Sequence, residues 1–166
     1  MVRRPPGPAH PGPRVRGTDR PPGLGVIDPG RVRAKLRLLR RYRARLARLA
    51  ALPRETYVAE HDFEGRYAVQ AAAQACLYLA NHVIASEGWP PAADFRDSFS
   101  RLEEQAVIDA ELAERMRALA GQRNLLVHLY GEVDDALVHA FLQDGLADLD
   151  RFARAVAALM DEPPSQ

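Results

Sequence analysis

Apolar residues in this chain recur at three- and four-residue steps, the spacing of one face of an α-helix. The first such segment runs from Arg31, with Leu36, Leu39, Tyr42, Leu46 and Leu49 on the repeating face and arginines between them, and Pro53 is expected to stop it. A second helix is predicted from Asp62, a plausible N-cap, to about Ser86, with Tyr67, Val69, Ala72, Ala73, Cys76, Leu77, Leu79, Ala80 and Val83 in a broad stripe. Its alanines suit close contact with more than one neighbouring helix. The segment EGWPP (87–91) is a break. A short helix follows around Asp94 to Gln105, and another starts at Asp109, which Gly121 is expected to interrupt or bend. Asp134 or Asp135 is placed to cap a last helix reaching Met160, with Leu137, Val138, Phe141, Leu146, Leu149, Phe152 and Val156 along its apolar side. No segment shows strand alternation bounded by turn dipeptides. The pattern predicts an all-α antiparallel bundle of four longer helices plus a short one.

Composition changes this picture mainly at the ends. Residues 1–30 hold 8 of the 13 prolines and 6 of the 11 glycines, too little apolar surface to offset the entropy of ordering. They are expected to form a disordered tail, of the kind a start assigned too early would also produce. The folded domain is expected over 31–160, with 161–166 as a flexible terminus. No stretch approaches the roughly 20 apolar residues of a membrane-spanning helix. The single cysteine, Cys76, rules out an internal disulfide framework and suits a reducing cytoplasm.

The net charge of +1 conceals a polarity. Residues 1–50 carry 14 Lys/Arg against two aspartates, and residues 51–166 carry 9 arginines against 20 carboxylates. The basic first helix, with Arg33, Arg37, Arg40 and Arg41, has two readings: it steers RNA through phosphate attraction, or it docks onto an acidic surface, of a partner or of the chain's own second half.

The candidate chemistry lies in RNLLVHLY (123–130). At about 100° per residue, with Arg123 as the origin, Leu125, Leu126 and Leu129 fall at ~200°, ~300° and ~240° and define a core-facing stripe. On the same ruler Asn124, Val127 and His128 fall at ~100°, ~40° and ~140°, so with Arg123 they share the opposite side. Tyr130 lies at the margin, at ~340°. Such residues are often no more than the polar side of a packing helix. As a site, histidine is a general acid or base near neutral pH, and arginine is a fixed cationic fork for phosphate oxygens. Together they suit metal-free RNA cleavage, in which the 2′-hydroxyl attacks the adjacent phosphate while His128 moves the proton and Arg123 stabilises the developing charge. One histidine does not easily act as both acid and base, so a symmetric dimer bringing two copies together is mechanistically convenient.

Other constellations are weaker. His61-Asp62 resembles the paired ligands of metal phosphohydrolases, but the further ligands are missing and a helix cap by Asp62 explains it more simply. His82 and His139 lie alone on helices, Cys76 sits on an alanine-rich face, and no Cys/His metal spacing or Gly-rich phosphate loop is present. Neither a metal nor a cofactor is expected.

RNLLVHLY also matches the R-x4-H-x-Y signature of the HepT-like proteins, a branch of the HEPN superfamily. GRYAVQAAAQACLYLANHVIASEGWP resembles the second helix of that family, and DFRDSFSRLEEQAVIDAELAERMRALAGQRNLLVHLYGEVD resembles its central region. The resemblance covers residues 31–160. It implies an all-α homodimeric ribonuclease toxin of a type II toxin–antitoxin pair, with Arg123 and His128 catalytic and Asn124 supporting. It also implies an MntA-like nucleotidyltransferase antitoxin that silences the toxin by adding AMP to Tyr130. A bulky anion there would block RNA and occupy the cationic fork. One departure is Gln74, where the family often carries glutamate. It favours one other reading, a non-catalytic HEPN module binding a nucleotidyltransferase or nucleotide; a further alternative is a purely structural helical dimer, in which the polar face is just interface.

Overall fold

The computed structural model of the chain describes residues 27–128 and 135–161. These form six helices: α1 (Pro29–Ala50), α2 (Arg54–Glu60), α3 (Asp62–Ser86), α4 (Phe95–Glu104), α5 (Ala110–His128) and α6 (Asp135–Asp161). No strand occurs among the described residues, in agreement with the all-α expectation. The long helices α1, α3, α5 and α6 make the bundle, and α3 is its hub, packing against α1, α4, α5 and α6.

Local chemistry sets most helix ends. The Asp28 side chain caps α1 by accepting the N–H groups of Gly30 (2.9 Å) and Arg31 (3.1 Å), with Pro29 in the first turn where its missing N–H costs nothing. Asp94 and Asp109 cap α4 and α5, accepting the N–H groups of Asp97 and Leu112, each at 2.8 Å. At the end of α3, Gly88 takes a left-handed φ of 70°, and the Trp89 N–H reaches back to the Ile84 carbonyl. The same closure ends α4, where Ala106 occupies the left-handed position at φ 55° and Val107 N–H bonds the Leu102 carbonyl. Here a residue with a Cβ does a job that glycine does with less strain.

The hub is built from small side chains. Ala68, Ala72, Ala73, Ala75, Cys76 and Ala80 of α3 are all buried, so neighbouring backbones approach closely, while Leu77, Leu79, Val83 and Ile84 fill the wider gaps. Leu36, Leu39, Leu46 and Leu49 close the core from α1, and Val138, Leu149, Phe152 and Val156 from α6. Burial pushes the Cys76 thiol far above its usual range and leaves it an inert small hydrophobe.

Several expectations need correction. Two short helices are present, not one: α2 (RETYVAE) spans only seven residues and buries a single side chain, Tyr57, too little to register as periodicity. α1 does end ahead of Pro53, with Ala50 its last residue and Ala51 its cap, and Pro53 also precedes the first turn of α2. α3 is preceded by His61 as cap residue, with no side-chain capping bond. Asp62 turns its carboxylate to Arg66 (3.5 Å). Tyr67, assigned to the apolar stripe, is 65% exposed. Gly121 does not interrupt α5, which runs unbroken from Ala110 to His128. Asp135 opens α6; Asp134 lies outside the described residues, as do 1–26 of the expected tail, 162–166 of the expected flexible terminus and the side chain of Leu137.

Side chains from α6 hold the α1–α2–α3 corner. Gln143 donates to the Ala50 carbonyl (2.9 Å), His139 Nε2 lies 3.3 Å from the Leu52 carbonyl, and Arg66 forks onto both carboxylate oxygens of Asp135 at 2.6 and 2.5 Å. Tyr57 is wedged within this corner, with its ring 5.0 Å from that of His139. Only a glycine fits beneath it, since a Cβ on Gly65 would stand 2.0 Å from the Tyr57 hydroxyl oxygen. That hydroxyl is buried with no hydrogen-bond partner among the described residues. Burial, reinforced by the Asp135 and Asp62 carboxylates, pushes the phenol up from 10.0 to about 12. The folded state thus favours the neutral phenol, and stability should hold up to pH 10 and fall as pH rises from there through about 12. Chemical denaturation across that range should show the wild type losing on the order of 2 kcal/mol more than Tyr57→Phe. At neutral pH the Phe variant should be at least as stable, because it deletes an unsatisfied buried hydroxyl. Parallel pH profiles for the two proteins would refute this account.

Candidate functional site

α5 places the candidate residues. Its Leu112, Ala113, Met116, Leu119 and Ala120 are buried, and Arg117 clamps it to α4 through Glu103 (2.6 Å) and to its own turn through Glu114 (2.9 Å). Arg123 emerges six residues after Arg117 and is held between two other helices. Its Nη2 donates to Gln74 Oε1 of α3 at 3.0 Å, and its guanidinium carbon lies 4.9 Å from the centroid of the Phe95 ring at the start of α4. A neutral amide acceptor and an aromatic face both orient a guanidinium without cancelling its charge. A glutamate at 74 would accept the same bond. Gln74 therefore supplies an orienting contact for Arg123.

The remaining motif residues can be placed only in part. His128 closes α5, five residues and about 7.5 Å along the axis from Arg123. The side chains of Asn124 and His128, the three motif leucines' side chains and the whole of Tyr130 lie outside the described residues.

Two shallow grooves adjoin Arg123. The first, about 330 Å³, runs between α3 and α4 and is lined by Gln74, Leu77, Tyr78, Asn81, His82 and Phe95. The second, about 260 Å³, lies between α1 and α3 and includes Lys35, Leu38, Tyr42, Gln74 and Tyr78. Gln74 and Tyr78 form the ridge common to both. The Tyr78 and His82 rings are parallel within 3° at 6.2 Å, and Lys35 Nζ stands 4.5 Å over Tyr78. Arg96, next to Phe95, packs its guanidinium against Gly121, where a Cβ would come within 2.9 Å of it.

The first-helix arginines point elsewhere. Arg33, Arg37, Arg40 and Arg41 are exposed, at roughly 140° to 240° around α1 from Lys35, the basic residue that reaches the groove. Among the described residues none of the four pairs with a carboxylate. Arg43 and Arg45 do, bonding Asp150 of α6 (3.0 Å) and Glu64 of α3. Both readings of the basic helix thus have residues to carry them: part of its charge holds the chain's own acidic half, and the outward stripe remains for something else.

The isolated histidines are structural. His82 Nε2 accepts the Asp28 N–H at 3.2 Å, tying the start of α1 to α3, His139 buttresses Tyr57, and His61 Nδ1 lies 3.5 Å from Glu64. Phe95, Lys35 and Tyr78 were not legible in the sequence as site residues. They come from three different helices and share no motif, and Phe95 reads simply as the start of a short helix. No helix of the described residues is long and apolar enough to cross a membrane.

Comparison with known proteins adds the following. A family model described as Ribonuclease HepT-like matches residues 53–156. The mRNA nuclease HepT of Shewanella oneidensis is 31% identical over 91 residues, 54% of this chain and 68% of that protein. Among solved structures, a tri-AMPylated Shewanella oneidensis HEPN toxin in complex with MNT antitoxin superposes with a TM-score of 0.70 at 22% identity, covering 76% of this chain and 96% of that one. YutE from Bacillus subtilis, a cytosolic protein of unknown function, superposes at 0.74 with 13% identity, over 86% of this chain and 99% of that one. At these identities the structural likenesses speak to the fold.

Proposed function

Because the chain belongs to the HepT-like ribonuclease family, we propose that it is an RNA endonuclease and the toxin of a toxin–antitoxin pair, working in the cytoplasm. The observation that carries this reading is the seating of Arg123: half-buried, oriented by Gln74 and Phe95, on the helix that ends in His128. In the proposed reaction the ribose 2′-oxygen forms a bond to the neighbouring phosphorus and the bond from phosphorus to the 5′-oxygen breaks. The 2′-proton is removed and a proton is delivered to the leaving 5′-oxygen, leaving a cyclic phosphate and a 5′-hydroxyl. The nucleophile belongs to the substrate, so the scheme requires no metal-bound water. Arg123 stabilises the extra charge on the phosphorane-like transition state, Asn124 supports it, and His128 transfers protons. A homodimer supplies a second His128, so base and acid can be different copies. The outward arginines Arg33, Arg37, Arg40 and Arg41 collect RNA through its phosphates, which makes binding salt-sensitive.

We assign the off-switch to Tyr130, adenylylated by an MntA-like nucleotidyltransferase antitoxin. The added phosphate would compete with RNA for Arg123.

RNA cleavage measured in EDTA should fall by about 10² to 10⁴ in Arg123→Ala and in His128→Ala. Undiminished cleavage in both variants would overturn the assignment. Gln74→Ala should lower cleavage about tenfold by releasing Arg123, with little change in melting temperature because Gln74 is exposed, and Gln74→Glu should restore the orienting bond. Equal activity in Gln74→Ala and wild type would show that the contact is incidental. Incubation with the nucleotidyltransferase and ATP should add AMP-sized mass at Tyr130 and abolish cleavage, whereas Tyr130→Phe should stay unmodified. Modification at another residue would refute the assigned switch.

A further inference from the structure

We propose that the groove between α3 and α4 is a nucleobase subsite, which receives one unpaired base of the RNA strand next to the phosphate held by Arg123. This rests on the ribonuclease reading and extends it to how the substrate is held.

Four features of the groove match a nucleotide. Its volume of about 330 Å³ lies at the small end of ligand-sized pockets, typically ~300–1,000 Å³. Its lining includes two aromatic rings, Tyr78 of α3 and Phe95 of α4, and the buried Leu77. Each aromatic ring carries a cation, Lys35 over Tyr78 at 4.5 Å from the adjoining α1–α3 groove and Arg123 over Phe95 at 4.9 Å, and such charges suit the phosphates next to a base. Two amides stand at the rim. Gln74 spends its oxygen on Arg123, which leaves its two N–H donors. Asn81 donates one N–H to the Leu77 carbonyl (3.0 Å) and lies 3.2 Å from the buried Ser98 hydroxyl, so its amide is fixed in orientation with a second N–H remaining. Amide donors beside aromatic surfaces are the equipment with which proteins hold unstacked RNA bases.

A bound peptide side chain would use the apolar walls but not the paired cations. A duplex would keep its bases stacked and away from the slot. The chemistry therefore selects a single strand, and the shared residue Gln74 links base recognition to the orientation of Arg123.

The test is an abasic walk. A fluorescein-labelled single-stranded RNA of about 12 nucleotides, with its cleavage site mapped using the wild type, is made with one abasic nucleotide at each position in turn. Binding of each is measured by anisotropy with full-length His128→Ala, whose slowed cleavage spares the probe during the measurement. Removal of one base flanking the scissile phosphate should weaken binding about 5- to 100-fold, the range set by base–aromatic stacking. Adding Tyr78→Ala should weaken binding of the intact RNA by a similar factor and abolish the penalty at that position, while Tyr78→Phe should preserve it. Phe95→Leu, at an exposed side chain outside the hub helix, should reduce the same penalty and guards against a folding defect in Tyr78→Ala. Cleavage by wild type with no abasic-sensitive position, or a penalty that persists in both Tyr78→Ala and Phe95→Leu, overturns the subsite and leaves the ribonuclease reading standing. Failure of the wild type to cleave any RNA overturns that reading and the subsite with it.

Discussion

The architecture turns on the close packing of α3. All five other helices lean on it, and they can do so because alanines and Cys76 line much of its surface, so that backbones meet with little side-chain volume between them. One strip is left uncovered. Phe63, Tyr67, Gln74, Tyr78 and Asn81 fall within about 60° of one another around the axis, and this strip supplies the ridge and floor edge of both grooves. The groove-lining polar residues of α3 are those its packing leaves over.

That strip acquires chemical meaning from what crosses it. Arg123 reaches across from α5 to Gln74, and Phe95 comes up from the start of α4. Both helices are fixed to one another by Arg117, whose guanidinium bonds Glu103 and Glu114. Arg123 is therefore positioned by a chain of contacts running through three helices. A guanidinium so restrained loses less entropy when it binds a phosphate than one waving on the surface.

The charge polarity of the chain resolves into two uses. Arg43, Arg45 and Arg66 spend their charge within the fold, on Asp150, Glu64 and Asp135, and Arg151 reaches back from α6 to Asp109 at 3.0 Å. The partly exposed pairs among these contribute little individually to stability and serve mainly to fix which helix meets which. Arg33, Arg37, Arg40 and Arg41 remain outside this network, on the face of α1 that neither the core nor the grooves occupy. A basic half and an acidic half thus fold onto one another while a surplus of positive charge stays at the surface.

Helix class, the boundaries of α4 and the family were legible in the sequence because each depends on short-range pattern. Apolar spacing declares a helix, an aspartate followed by helix-forming residues declares its start, and R-x4-H-x-Y lies within eight consecutive residues. The same logic puts Arg123 and the motif leucines on different faces, an expectation that falls on leucine side chains outside the described residues. It failed at α2, which holds one buried side chain, and at Tyr67, whose place in a periodic stripe did not prevent the neighbouring helices from leaving it exposed. It also could not join Arg123 to Gln74, Phe95, Tyr78 and Lys35. The contacts that assemble them, Arg123 with Gln74 and Phe95 and Lys35 with Tyr78, span up to 49 residues of chain and depend on how closely α3 lets its neighbours approach, a property of packed volumes in three dimensions that local sequence pattern does not encode.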